Sequence, residues 1–281
     1  MYHLPSIYEK VIELGTKIIS CPSKECSAVN KNLNEGVIPR VFFIEPFLSE
    51  SSKGLKYEKA KITILGFNPG QILPFEAVAY REVLEKHNCL TKPYELECYE
   101  RVFKEIHDIW VKCFGGWKLK EIKFPYFRNI KKLLCEISQY LERYQGIEEG
   151  DLILWAELVY CESKRRKATL PEKTVYDCVS KYLKSVLELS SDLIICIGQE
   201  TFNYIGGKLL SEEGERFHGL KKALRDKVVL GFYHASGGGG ANFYKYFEKE
   251  KKEFIKRRLK EPVKIKIESA LRNRKSEFVC I

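Results

Sequence analysis

The sequence predicts an α/β fold: a three-layer α/β/α sandwich around a mostly parallel sheet of four or five strands. Three observations predict it. Short runs such as Ile62-Thr63-Ile64-Leu65 and Leu193-Ile194-Ile195-Cys196-Ile197 are apolar, rich in β-branched residues and free of charge, as strands covered on both faces must be. Longer stretches with apolar residues at helical spacing alternate with them, the pattern of parallel strands joined by crossover helices. Two of the strands run directly into glycine-bordered polar turns, which open α/β sheets use to build ligand crevices at the carboxyl ends of their strands.

In chain order, residues 6–19 read as an amphipathic helix with Ile7, Val11, Leu14 and Ile18 on one face. Val41-Phe42-Phe43-Ile44 reads as a strand, and residues 48–59 as a polar loop leading to the central strand. Helices are expected over about 76–88, 95–113 and 129–143, the last two carrying Val102, Ile106, Ile109 and Trp110, and Ile130, Leu133, Leu134, Ile137 and Leu141, in phase. Leu152 to about Tyr160 forms the next strand, and residues 161–170 a basic loop. Pro171 opens a helix to about Leu189, because proline is tolerated in a first turn. The strand 193–197, a short helix 199–205, a polar connection 206–226, a strand 228–233 and a charged helix of about 241–260 complete one domain, 1–260. Residues 81–150 are a helical insertion in it, and 261–281 a basic C-terminal tail.

The 281 residues carry 48 Lys and Arg against 38 Asp and Glu, a net charge of +10. Sixteen Tyr and sixteen Phe accompany them. A basic surface interleaved with aromatics suits a polyanion whose bases can stack, although a lysine-rich surface is more often simply solubilising. No apolar run is long enough to cross a bilayer, and Met1-Tyr2-His3-Leu4-Pro5 lacks the form of a signal peptide. An intracellular, cytoplasmic protein is expected, nucleoid-associated if the source is prokaryotic. Ten cysteines are many for a reducing compartment, and point to metal or cluster ligands, packed thiols or intracellular disulfides.

The chemistry-bearing stretches are Gly66-Phe67-Asn68-Pro69-Gly70, after the central strand, and His234-Ala235-Ser236-Gly237, after the last one. Either alone is an ordinary turn; together they put an amide and an imidazole at strand ends. These residues resemble the two motifs of the uracil-DNA glycosylase superfamily, with Ala235 where proline is usual. A third likeness is to the iron–sulfur branch of that superfamily: Cys161, a basic loop, a Pro-initiated helix start and then Cys178, with Cys21 and Cys26 ahead of the first motif at a wider spacing than usual. The resemblance spans about Cys21 to Lys251.

The resemblance implies a DNA glycosylase, monofunctional and monomeric, that hydrolyses the N-glycosidic bond of a deaminated base (uracil or a related base) in single- or double-stranded DNA, in base excision repair. Asn68 would position the attacking water, and His234 would donate a hydrogen bond to the departing base. Gly66, Phe75 and Glu157 would line the base pocket, Phe75 by stacking, at even odds with its being a core residue. Some relatives place an acid near the first motif, and Glu76 is close in sequence. Lys164, Arg165, Arg166 and Lys167 would contact the DNA backbone, as would Ser236 and Gly237. Cys21, Cys26, Cys161 and Cys178 would hold a structural [4Fe–4S] cluster. Cys196 and Cys135 read instead as packed thiols, and Cys89, Cys98 and Cys113 as unassigned, with zinc or a disulfide as alternatives.

Glu157 departs from the family, which carries Asn at the aligned position. A carboxylate accepts hydrogen bonds and uracil's O4 is also an acceptor, so the two repel. The alignment slips, or Glu157 is protonated, or it faces away, or the substrate is not plain uracil. Glu157 and Ala235 also motivate an alternative: a non-catalytic nucleic-acid-binding relative of the fold.

Overall fold

The computed structural model describes residues 6–19, 21, 44–51, 58–67, 74–89, 96–114, 125–160, 170–205, 220, 223–224 and 227–232. Their core is a mixed five-stranded sheet with helices packed against it, an α/β arrangement. The strands are β1 (Ile44–Pro46), β2 (Ala60–Gly66), β3 (Leu152–Glu157), β4 (Ser190–Ile197) and β5 (Val228–Phe232), in spatial order β1-β3-β2-β4-β5. β3, β2, β4 and β5 are mutually parallel, and β1 is an antiparallel edge strand on β3. The side chains of β2 are buried at all but one position, which is why this strand reads as a continuous apolar run with no alternation.

The helices are α1 (Ile7–Ile19), α2 (Pro74–Lys86), α3 (Leu96–Phe114), α4 (Pro125–Gln145), α5 (Glu172–Cys178), α6 (Lys184–Leu189) and α7 (Gln199–Asn203), with a π-helical turn, Val179–Leu183, joining α5 to α6. α1 begins with a capping box: the Glu9 amide donates to Ser6 Oγ at 3.3 Å, and the Ser6 amide donates to Glu9 Oε2 at 2.8 Å. Its apolar face is buried as the periodicity predicts. α1 approaches α3 closely at Gly15, where a Cβ would overlap the Phe103 ring. His107 of α3 is buried beside that seam, edge-on to Tyr8 with ring centroids 5.5 Å apart. Burial pulls its pKa down against the opposing pull of Asp108, so the imidazole is neutral at neutral pH. Residues 81–150 hold the C-terminal part of α2 with all of α3 and α4.

Several boundaries differ from the sequence reading. β1 lies at 44–46, the three residues before it being outside the described set, and its last residue, Pro46, is tolerated because the strand is at an edge. α2 and α4 start earlier than predicted, at Pro74 and Pro125, since a proline can open a helix that apolar spacing detects only a turn later. α2 closes on Asn88 in the left-handed region (φ 55°), with the Cys89 amide donating to the Leu84 carbonyl at 2.7 Å. β3 stops at Glu157, three residues short of Tyr160. The helix expected over 241–260 and the tail lie outside the described residues.

One buried ion pair ties the edge strand to α4. Lys131 Nζ of α4 donates to Glu45 Oε2 of β1 at 2.9 Å, with Lys131 fully buried and Glu45 1% exposed. Cys89 and Cys98 form a disulfide between the end of α2 and the first turn of α3, their Cα atoms 6.3 Å apart. Cys196 is a packed thiol, as expected, with burial pushing its pKa up. Cys135 corrects the reading: it is exposed on α4, because it falls outside the stripe formed by Ile130, Leu133, Leu134, Ile137 and Leu141. Among the described residues no helix is long and apolar enough to cross a membrane.

Candidate functional site

The parallel strands bring their carboxyl ends to one edge of the sheet. β2 ends at Gly66, β3 at Glu157, β4 at Ile197 and β5 at Phe232. The chain goes from β2 to β3 on one side and then to β4 on the other, so the β2/β4 boundary is a topological switch point, where open α/β sheets leave a crevice. β4 turns out of the sheet through Gly198, whose φ of 100° is a conformation side chains other than hydrogen disfavour. In sequence Asn68 follows the end of β2 by two residues, and His234 follows the end of β5 by two. With β4 alone between them, the two strand ends are separated by roughly two strand spacings, about 10 Å. Asn68 and His234 themselves lie outside the described residues, as do Lys164, Arg165, Arg166, Lys167, Ser236, Gly237, Cys26 and Cys161. Phe75 is in the first turn of α2, and its side chain also lies outside the described set.

Two site residues meet directly. Gly66 and Glu157 are partners in the β2–β3 register. The Glu157 carboxylate occupies the space that a Cβ on Gly66 would take, with both of its oxygens inside that volume. A side chain at 66 would have to displace the Glu157 carboxylate, a steric relation that does not show in the sequence. The pairing continues past the strand ends: the amides of Leu158 and Val159 donate to the carbonyls of Gly66 and Phe67, each at 2.9 Å. The backbone that leads into Asn68 is thus held against β3. Ile153, Trp155 and Glu157 share one face by strand alternation. On that face Trp155 packs against Phe127 of α4, with ring centroids 5.3 Å apart. Phe127 in turn meets Tyr126 edge-on at 5.2 Å. This aromatic wall is a feature that motif reading missed; the signal was the paired aromatics right after Pro125.

A second cluster forms where β3, α1 and α5 come together. Tyr160, in sequence the neighbour of Cys161, is fully buried and stacks edge-on against Tyr182 of the π-helical turn, at 6.1 Å. The Tyr182 hydroxyl donates to the Lys17 carbonyl at 3.4 Å, at the end of α1 and four residues before Cys21. Burial pushes the Tyr160 phenol well up, and the nearby Cys178 sulfur and Glu157 add to the push. Cys178 is buried at the end of α5, directly before the π-helical turn, and Cys21 packs partly buried against the core. π-helical turns inside α-helices are frequent at functional sites. Cys178 thus lies near Tyr160, the chain neighbour of Cys161, and the end of α1, four residues before Cys21, is tied to Tyr182. Among the described residues no three His, Cys, Asp or Glu side chains gather as a metal site, Cys26 and Cys161 being outside that set. No protein-family model matches the chain, and comparison with curated proteins finds no relative for it.

Proposed function

We propose that the protein is a DNA glycosylase that hydrolyses the N-glycosidic bond of a deaminated base, uracil or a related base, in base excision repair. One observation carries this reading. The strands leading into the Asn68 and His234 motifs are parallel, separated by one strand, and end at the same edge of the sheet. The finer architecture that goes with it is a three-layer α/β/α sandwich, with DNA tracked along the basic loop Lys164–Lys167 and the protein acting as a monomer.

In this mechanism the target nucleotide is extruded into the crevice at the β2/β4 switch. Asn68 orients a water toward C1′ of the sugar. An amide is a poor base, so it positions the water and polarises it little, and the water gives up its proton late, after attack. The C1′–N bond breaks with its electron pair going to the base. His234 donates a hydrogen bond to the base oxygen on which that charge settles. The departing base is then protonated from solvent. Phe75 stacks on the base, and Ser236 and Gly237 bind phosphate through a hydroxyl and a backbone N–H.

The tyrosine-centred cluster supports a [4Fe–4S] group held by Cys21, Cys26, Cys161 and Cys178, since the thiol is the ligand type such clusters take. Its contribution would be structural, tying α1 and the basic loop to the end of β3. Protein purified without oxygen that carries neither iron nor visible charge-transfer absorption removes the cluster from this reading.

The decisive test offers uracil-, hypoxanthine- and xanthine-containing oligonucleotides to the wild type and to Asn68→Ala. Base release that falls by about a hundredfold or more in Asn68→Ala is the expected outcome. Tight binding with no release, unaffected by Asn68→Ala, overturns the glycosylase reading in favour of a non-catalytic nucleic-acid-binding protein.

A further inference from the structure

We infer that the Cys89–Cys98 disulfide is a redox-sensitive clamp on α2, the helix that follows the Asn68 motif, and that a dithiol which opens it loosens α2 and slows base excision. The effect on rate rests on the base-excision reading, whereas the effect on α2 is independent of it. Four structural observations carry the clamp. First, α2 starts at Pro74, shortly after Asn68 in the chain, and has Phe75 in its first turn. Second, α2 is packed toward its C-terminal end. Among its described side chains Val83 and Leu84 are buried, while Val78 is 56% exposed and Arg81, Glu82 and Glu85 face solvent. Third, the disulfide is at that same end. It joins Cys89, buried just past the helix, to the partly buried Cys98 in the first turn of α3. Fourth, α3 is a fixed post for it: Val102, Phe103 and Ile106 are buried, and Phe103 fits over Gly15 of α1.

The other polar tie between the two helices is weak. Glu105 of α3 accepts from Lys86 Nζ at 2.6 Å and from His87 Nε2 at 2.8 Å. The Lys86 and Glu105 side chains are 64% and 30% exposed, so water and salt screen their attraction. The cross-link is not screened. While it is intact, the end of α2 cannot part from α3, and the states in which α2 swings away are removed. Cys98 is the accessible sulfur, because Cys89 is sealed. A thiolate of an external dithiol attacks Cys98 Sγ, forms a mixed disulfide with it and releases the Cys89 thiolate, which takes up a proton. The second thiol of the reductant attacks its own sulfur in the mixed disulfide and leaves as the oxidised dithiol, with Cys98 released as a thiol. Two electrons and two protons have then passed from reductant to protein. What still holds α2 is Val83, Leu84 and the screened Glu105 contacts, a set small enough for local opening with α3 in place. A helix that moves beside the reacting groups costs rate through lost positioning.

The test compares full-length protein, purified without oxygen, in oxidised and in reduced dithiothreitol, with Cys98→Ser alongside. Differential alkylation reports the state of Cys89 and Cys98. Amide hydrogen exchange follows residues 78–88 and 99–113, and single-turnover assays follow base release. Reduction is expected to lower α2 protection at least about tenfold with α3 unchanged, and base release about tenfold. Cys98→Ser should match the reduced protein in either buffer, which separates the clamp from any action of the dithiol on other cysteines. If Cys98→Ser does not fold, reduction of the wild type decides alone. Free Cys89 and Cys98 thiols in oxidised dithiothreitol overturn the inference. Equal α2 protection in both states overturns it too, and so does base release that ignores a loosened α2; both leave base excision intact. Base release in neither state by folded protein overturns the base-excision reading and the rate effect, while hydrogen exchange still decides whether α2 is clamped.

Discussion

Two glutamates on neighbouring strands of the same sheet have opposite surroundings. Glu45 of β1 is the register partner of Ile153, and Glu157 lies four residues further along that same strand. By alternation both are on the face that α4 covers. Glu45 is sealed in the packed layer and held by Lys131 at 2.9 Å. Glu157 ends its strand at the open edge, fitted over a glycine. The same side chain thus serves the fold in one place and the crevice in the other, and its level along the strand decides which. A carboxylate deep in the layer must have a cation, since an unpaired buried charge costs several kcal/mol. A carboxylate at the carboxyl edge is within reach of whatever the crevice admits.

The largest effect expected from this contrast is on stability. Lys131→Met removes the cation and leaves Glu45 buried, which should cost about 3–5 kcal/mol in denaturant unfolding. Base release by the folded fraction should not move, because Lys131 is spaced from the edge by the Trp155 layer. A loss under about 1 kcal/mol would mean that water or another group reaches Glu45, and the contrast between the two acids would dissolve.

Neither glutamate's role was fully legible in the sequence. Strand runs and helical stripes are local patterns, so β2, β4 and β5 and helices α2, α3 and α4 could be read from their own residues. The Glu45–Lys131 pair joins residues 86 apart in the chain, and no local rule connects them. Lys131 sits next to Ile130 in the α4 stripe, and its charge argues for the solvent side until its partner is known. Glu157 was legible as a position but not as a geometry: that it overlies Gly66 depends on a register between strands more than eighty residues apart. Cys135 failed for the opposite reason. Cysteine is so often buried that residue type outweighed its place off the helical stripe.

A smaller effect separates the acids by pH. Burial raises the Glu45 carboxyl from 4.5 to about 7, with the Lys131 ammonium and, less, the Trp155 indole opposing it. Because the folded-state pKa is above the unfolded one, the folded protein holds a proton that the unfolded chain has released between pH 4.5 and 7. The contribution of Glu45 to stability is therefore full below pH 4.5 and falls as pH rises to about 7. Burial also lowers the Lys131 pKa against the pull of Glu45, so the two titrate as a pair. Glu45→Gln removes the term. Wild type minus Glu45→Gln unfolding free energy should fall by about 1–3 kcal/mol from pH 4.5 to pH 7. A difference that is flat or rises across that window rules out a raised Glu45 pKa.

The smallest expected effect is the sharpest for the comparison. Glu157→Gln keeps the shape that fits over Gly66 and exchanges one oxygen for an amide nitrogen at a half-buried edge. The substitution opens no cavity, and changes of that kind outside the packed core stay within about 0.5 kcal/mol. Unfolding midpoints of wild type and Glu157→Gln should therefore nearly coincide. A loss of 2 kcal/mol or more, on the order of removing a buried partner, would put Glu157 with Glu45 among the residues that hold the sheet together. Its place beside the Asn68 motif would then be a packing solution, and the carboxyl edge would have to line its base pocket with another side chain.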